Sequence, residues 1–146
     1  MDKKLCKKLN EINEYCVTNN IRLTPLRAQI LELIYQSEAA IGAYDLLRLL
    51  RKTKANAEAM TVYRVLEFLQ EHHLVHRVES LNAYIPCSHH TEHHHSQLLL
   101  CKQCGESSEI ADHNLIQAIR DCLQTQGFSL GHGITEIRGL CYNCAE

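Results

Sequence analysis

Thr61-Val-Tyr-Arg-Val-Leu-Glu-Phe-Leu-Gln-Glu-His-His-Leu-Val-His-Arg-Val-Glu-Ser-Leu-Asn-Ala-Tyr-Ile-Pro86 passes from one hydrophobic rhythm to another within a single short stretch. Val62, Val65, Leu66 and Leu69 repeat at helical spacing and cover about 100 degrees of arc. They predict a helix that begins after Thr61, whose hydroxyl suits an N-cap. From Leu74 to Glu79 the pattern alternates as in a strand, Ser80-Leu81-Asn82 reads as a turn, and residues 83–86 return. A helix followed at once by a two-stranded hairpin is the second half of a winged helix.

The first half lies upstream. Thr24-Pro25 opens a helix, because threonine caps free N–H groups and proline suits the first helical position; Leu26, Ile30, Leu33 and Ile34 then share one face. A second helix follows, with Ala43, Leu46, Leu47 and Leu50 inward and Arg48, Arg51 and Lys52 outward. In helix-turn-helix proteins the N-terminal residues of the recognition helix meet base edges in the major groove. Tyr63 and Arg64 occupy that place on the polar face of the third helix. Arginine can bond guanine O6 and N7 together, and tyrosine offers a ring to a thymine methyl or a hydroxyl to phosphate. Thr61 starts the same helix, and Arg77 on the wing is placed to reach the DNA backbone. Taken one at a time, such residues are ordinary solvated positions; it is their place in three helices and a wing that makes them a DNA-reading face.

Residues 87–97 change character, with five histidines and almost nothing apolar. The expected organisation is a winged-helix DNA-binding domain over 1–84, a hinge and His-rich loop over 85–97, and a small α/β dimerisation domain over 98–146. The whole is α+β. In the last domain strands are expected at 98–101 and 107–110. A helix carrying Leu115, Ile119, Cys122 and Leu123 should stop at Gly127, before a final strand to Leu140.

Two Cys-x-x-Cys pairs, Cys101 with Cys104 and Cys141 with Cys144, are spaced as the halves of a four-thiolate zinc site. Zinc takes four tetrahedral sulfur ligands at about 2.3 Å, and two intervening residues let one tight turn aim both thiolates at one ion. A redox motif would need a lone Cys-x-x-Cys opening a helix, whereas each pair here adjoins a strand-like run. Four thiolates leave no open coordination position, so this site serves folding. That also weighs against a zinc deaminase, which His90-Thr-Glu92 ahead of Cys101 loosely echoes but for which Leu100 stands where a proline is required. Cys6, Cys16 and Cys122 are expected as small core residues.

Composition narrows the partners. No run of about 18 apolar residues exists to span a membrane, and residues 1–15 are charged with no apolar signal-peptide core, so a cytoplasmic protein is expected. Eight cysteines in 146 residues fall below the density of a secreted disulfide scaffold. Net charge is minus 2, but 12 Lys and Arg face 10 Asp and Glu up to Glu79, against 3 and 7 from Ser80 onward. Only the first half suits a polyanion, and the imbalance is modest.

His76, Cys87, a histidine among His93, His94 and His95, and Glu109 stand apart from the four cysteines, and each singly reads as an ordinary surface or core residue. Together with Ile21-Arg-Leu-Thr-Pro25, Ala43-Tyr-Asp-Leu-Leu47, Thr61-Val-Tyr-Arg64, Val75-His-Arg-Val-Glu-Ser80, Cys101-x-x-Cys-Gly105 and Gly139-Leu-Cys-x-x-Cys144, they give a chain that resembles the Fur family of bacterial metalloregulators over nearly its whole length, and within it the zinc-sensing Zur branch. The resemblance implies a regulatory zinc at His76, Cys87, His94 and Glu109, with the four cysteines holding a separate structural zinc, two ions per chain. It further implies a homodimer that binds double-stranded operator DNA and represses zinc-uptake genes when zinc is plentiful, with neither membrane nor small-molecule substrate as partner. The loop from Cys87 to Cys101 is one residue shorter than in that branch, so counting back from Cys101 selects His94 and counting forward from Cys87 selects His95. Cys87 is the discriminating residue, since sulfur favours zinc over iron(II). Relatives that sense iron place a histidine three residues before the last strand's glutamate; Gly133 fills that position here. An iron-responsive regulator, and a metal-blind interaction module, are the competing readings.

Overall fold

The computed structural model describes residues 2–89, 95–131 and 133–145, and the chain divides into two compact units, residues 1–91 and 92–146. In the first unit helices α1 (Lys3–Thr18), α2 (Pro25–Gln36), α3 (Ala43–Leu50) and α4 (Ala59–Glu71) precede a hairpin of β1 (Val75–Val78) and β2 (Ala83–Pro86). In the second, β3 (Ser96–Cys101), β4 (Ser107–Ile110), α5 (His113–Thr125) and β5 (Ile134–Gly139) follow in order.

The expected helices form for the expected reasons. Thr24 Oγ1 accepts from Arg27 N at 3.4 Å to cap α2, with Pro25 at its first position. Ile30 and Ile34 of α2, Ala43, Leu46, Leu47 and Leu50 of α3, and Val62, Val65, Leu66 and Leu69 of α4 are all buried in one core. Deleting one of the fully buried leucines would cost about 2–5 kcal/mol. The wing is tied to this core by an isolated bridge in which Ile41 N donates to Tyr84 O at 3.0 Å and Tyr84 N to Ile41 O at 2.9 Å.

Two readings of the sequence need correction, and one helix lies where none was read. Residues 3–18 form a full helix, although their charge hid it: Asp2 accepts from Lys4 N at 3.1 Å as the cap, and Ile12 and Cys16, one turn apart, are buried while the lysines face solvent. Thr61 is not a cap, because α4 starts two residues earlier at Ala59 with Glu58 at the N-cap and no side-chain capping bond. Among the three spare cysteines only Cys16 is a core residue; Cys6 and Cys122 are exposed, since Cys122 falls beside rather than on the face of α5 that buries Ile116.

The wing turn closes with a 3-10 turn over Glu79–Leu81 and Asn82 in the left-handed region, φ 46°. The second unit is a three-stranded sheet of order β4-β3-β5, with β3 antiparallel to β4 and parallel to β5. The chain returns to the starting end of β3 through β4, and α5 follows before β5 adds parallel to β3 on its other side. Gly127, with φ 67°, ends α5 as expected, and Phe128 N donates back to Leu123 O at 3.0 Å. Gln97 is polar yet fully buried at the start of the central strand. Its amide is satisfied on both sides, accepting from Asp112 N at 3.1 Å and donating to His95 O at 2.7 Å. None of the described helices is long and apolar enough to cross a membrane.

Candidate metal centres and nucleic-acid interface

The parallel pairing of β3 with β5 sets Cys101 opposite Gly139, and Lys102 N donates to Gly139 O at 2.8 Å. Both strands therefore end at the same edge, and each opens into a tight turn. Gly105 N reaches Cys101 O at 3.1 Å, with Gly105 at φ 78°, and Cys144 N reaches Cys141 O at 3.0 Å. The four sulfurs of Cys101, Cys104, Cys141 and Cys144 consequently lie within 4.8 Å of one another. Cys104 and Cys141 are 3.7 Å apart, Sγ to Sγ. A tetrahedron of sulfurs around zinc has an edge of about 3.8 Å, whereas a disulfide needs about 2.05 Å. No cysteine is in a disulfide.

The electrostatics of the cluster point the same way. Hydrogen bonding from the backbone of Cys104, and then of Cys141, pulls the Cys101 thiol down to about 6. The Cys144 thiol is pushed up to about 12, first by its hydrogen bond with the Cys141 side chain and then by burial. Cys141 is raised as well, chiefly by the carboxylate of Glu106. Sulfurs this close cannot all ionise against one another, and a divalent cation is the partner that lets them do so. The donor set fits zinc.

A second set of donors sits on the wing. In the β1–β2 register His76 is paired with Ile85, and Cys87 lies two residues beyond Ile85, so both side chains emerge on one face of the hairpin. Their ligand atoms are within 4.8 Å of each other. His76 is half-buried and Cys87 is fully buried. Cys87 is gripped through its peptide groups: its N–H donates to Leu74 O at 3.1 Å, and its carbonyl accepts from the Tyr35 hydroxyl at 3.0 Å. In the second unit Glu109, half-buried on β4, accepts from Ser96 Oγ at 2.6 Å. His93 and His94 lie outside the described residues; His95 is half-buried immediately before β3. Tyr35 and Ser96, which hold a donor residue each, carry no signal in the sequence.

On the face expected to read DNA, Tyr63 and Arg64 are exposed on α4, and Tyr63 meets the ring of Tyr44 of α3 edge-on, with centroids 6.5 Å apart. Thr61 is half-buried in the first turn of α4. Arg77 is engaged within the wing: its guanidinium donates to Asn82 Oδ1 at 3.0 Å and stands 3.7 Å from the Glu79 carboxylate. One turn beyond Arg64 on α4, Phe68 carries Arg27 3.5 Å over its ring, a cation–π contact that joins α2 to α4.

Comparison with known proteins accords with this arrangement. The model of the ferric uptake regulator family matches residues 18–137. The zinc uptake regulation protein of Escherichia coli (strain K12) is 38% identical over 139 residues, spanning 94% of this chain and 81% of that protein. The zinc uptake regulation protein of Mycobacterium tuberculosis (strain CDC 1551 / Oshkosh) is 32% identical over 127 residues, 85% of this chain and 95% of that one. Among solved structures, a zinc uptake regulator complexed with zinc and DNA superposes with a TM-score of 0.87 at 36% identity, covering 97% of this chain and 95% of the other.

Proposed function

This chain belongs to the ferric uptake regulator family, and we propose that it is a zinc-responsive member: a cytoplasmic DNA-binding repressor of zinc-uptake genes, not an enzyme, acting as a homodimer with two zinc ions per chain. The observation that carries this reading is the Cys87 thiol beside His76 on the wing of a winged helix. Sulfur with imidazole favours tetrahedral zinc over iron(II), which suits nitrogen and oxygen sites of higher coordination. Glu109 and one histidine of the loop, His94 in our reading, complete the set. Gly133, where an iron-type site would need histidine, supports the same choice of metal. So do the two relatives named as zinc uptake regulation proteins.

Bound zinc would supply a tetrahedral crosslink among its ligands. His76 and Cys87 attach that link to the DNA-binding unit, and Glu109 attaches it to the second unit, so ligation narrows the orientations available to a winged helix. Two copies so restrained can present their α4 helices to successive major grooves. Tyr63 and Arg64 then meet base edges, Thr61 and a released Arg77 the backbone. Raising the competent fraction from 1:99 to 99:1 takes about 5.5 kcal/mol of preference, within a zinc-binding energy of order 10 kcal/mol or more. Dimerisation through the second unit is supported by its apolar surface, where Leu99, Phe128, Ile137 and Leu140 are exposed.

The test is metal analysis of the purified protein together with a titration of operator binding against free zinc. Two tightly held zincs and zinc-dependent binding are expected. A single zinc, all of it held by cysteines, would leave the wing site without support.

A further inference from the structure

Cys87 is the first residue past β2, and the Cα register of the wing ends one residue earlier, at Val75 with Pro86. Two hydrogen bonds hold the Cys87 backbone at this end of the hairpin. The N–H of Cys87 continues the hairpin by one bond to Leu74, and Leu74 N in turn donates to Leu69 O at 2.9 Å, in the last turns of the recognition helix α4. The carbonyl of Cys87 has a partner of another kind: the hydroxyl of Tyr35, 52 residues earlier on α2, at 3.0 Å. The Tyr35 ring is half-buried against the hydrophobic core, next to the fully buried Ile34, so the hydroxyl is itself held in place. The orientation of a peptide plane sets the Cα–Cβ direction of its residue, and a metal tolerates a sulfur displaced by only about 0.2 Å.

We propose that Tyr35 is the positioning residue of the zinc site on the wing, its hydroxyl holding the Cys87 carbonyl so that the Cys87 sulfur stands beside His76 before metal arrives. This rests on the regulatory-site reading above and deepens it. Tyr35 touches no metal; it lowers the ordering cost that the thiolate would otherwise meet on ligation. Because the two peptide groups that flank the Cys87 Cα are bonded, one toward α4 through Leu74 and the other to α2, the donor is built into the helix-turn-helix rather than hung from its edge.

The test is Tyr35→Phe in the full chain carrying its structural zinc, titrated with zinc and, separately, with cobalt(II), whose sulfur-to-metal charge-transfer band reports the Cys87 thiolate. Loss of one neutral hydrogen bond predicts zinc affinity about threefold to tenfold weaker, and an altered cobalt band. One structural zinc should be retained, and DNA affinity at saturating zinc should be normal. In a Cys87→Ser background the same Tyr35→Phe change should have no further effect on metal affinity, because both residues act through one sulfur. An unchanged affinity and cobalt spectrum, a melting-temperature loss alone, or an additive effect in the Cys87→Ser background would each reduce Tyr35 to a core tyrosine. If instead the parent protein shows no thiolate–cobalt band, or Cys87→Ser keeps a normal zinc threshold, the regulatory site itself fails, and the two failures are told apart.

Discussion

The two sulfur-bearing clusters are built in opposite ways. In the second unit, Cys101, Cys104, Cys141 and Cys144 all come from turns at one edge of a sheet, brought side by side by a parallel strand pair. That unit holds all four thiols, enough to fill a tetrahedral zinc site. On the wing, Cys87 and His76 make only half of a tetrahedron, held by a hairpin register and two peptide hydrogen bonds. A closed set stabilises the unit that contains it. A half set can respond to metal only by recruiting donors from elsewhere, which is what a sensor requires. Both contain cysteine, so residue type alone does not separate the structural from the regulatory site of our proposal; completeness within one unit is the difference it rests on.

The largest effect should come from breaking the closed set. Cys141→Ser leaves three thiolates around a tetrahedral ion and removes most of the metal's contribution to folding, of order 10 kcal/mol in small zinc domains. Loss of the dimer or of the fold is expected, read by gel filtration and circular dichroism with zinc analysis. A Cys141→Ser dimer with full zinc content would overturn the structural assignment. Cys87→Ser should do the reverse. Its fold and one zinc should survive, while the zinc needed for DNA binding rises at least tenfold and the preference over iron(II) declines. A normal zinc threshold in this variant would mean that the loop histidines form a site without sulfur.

The closed set was legible in the sequence because Cys-x-x-Cys spacing encodes its own turn, and the wing because its alternation and its turn residues lie within a dozen positions. The helical core was legible for the same local reason: the 3.6-residue spacing of Val62, Val65, Leu66 and Leu69 needs no tertiary information. Helix α1 was not, since only Ile12 and Cys16 of its 16 residues are buried and four lysines crowd its first two turns. The start of α4 was misread because Thr61 is a good cap by type, yet the helix extends a further two residues past it without any side-chain cap. The family resemblance supplied His76, Cys87, His94 and Glu109 as a set, of which His94 lies outside the described residues. What holds them, Tyr35 on Cys87 and Ser96 on Glu109, depends on contacts 52 and 13 residues apart that no local pattern records.

A smaller effect tests the DNA face to which the wing site is attached. Arg64 is exposed on α4, and Arg64→Ala should weaken operator binding by about 1–3 kcal/mol and relax preference at one base position. Arg77 is already committed to Asn82 and Glu79. Arg77→Ala should weaken binding to all sequences alike and make the salt dependence shallower by about one counterion. Zinc content should be unchanged in both, as measured by metal analysis beside competition binding. Unaltered affinity and sequence preference in Arg64→Ala would remove α4 from the groove.

The smallest effects concern the cysteines that belong to neither cluster. Cys16 is buried against the core, and burial pushes its thiol up, so it stays protonated and acts as a small hydrophobe. Cys16→Ala removes a packed sulfur and should cost about 1 kcal/mol in denaturant unfolding. Cys122 reads in the sequence as the same kind of residue, on an apolar helix face, but is exposed in the protomer. Cys122→Ala should therefore change stability by less than about 0.5 kcal/mol, with zinc stoichiometry and zinc threshold intact. The pair sharpens the contrast between the two metal clusters, because it shows what a cysteine is worth when no metal claims it: about 1 kcal/mol buried, almost nothing exposed. Should Cys122→Ala cost as much as Cys16→Ala in the dimer but not in a monomeric form, the residue would be buried by the partner subunit, and the face of α5 that carries it would belong to the dimer interface.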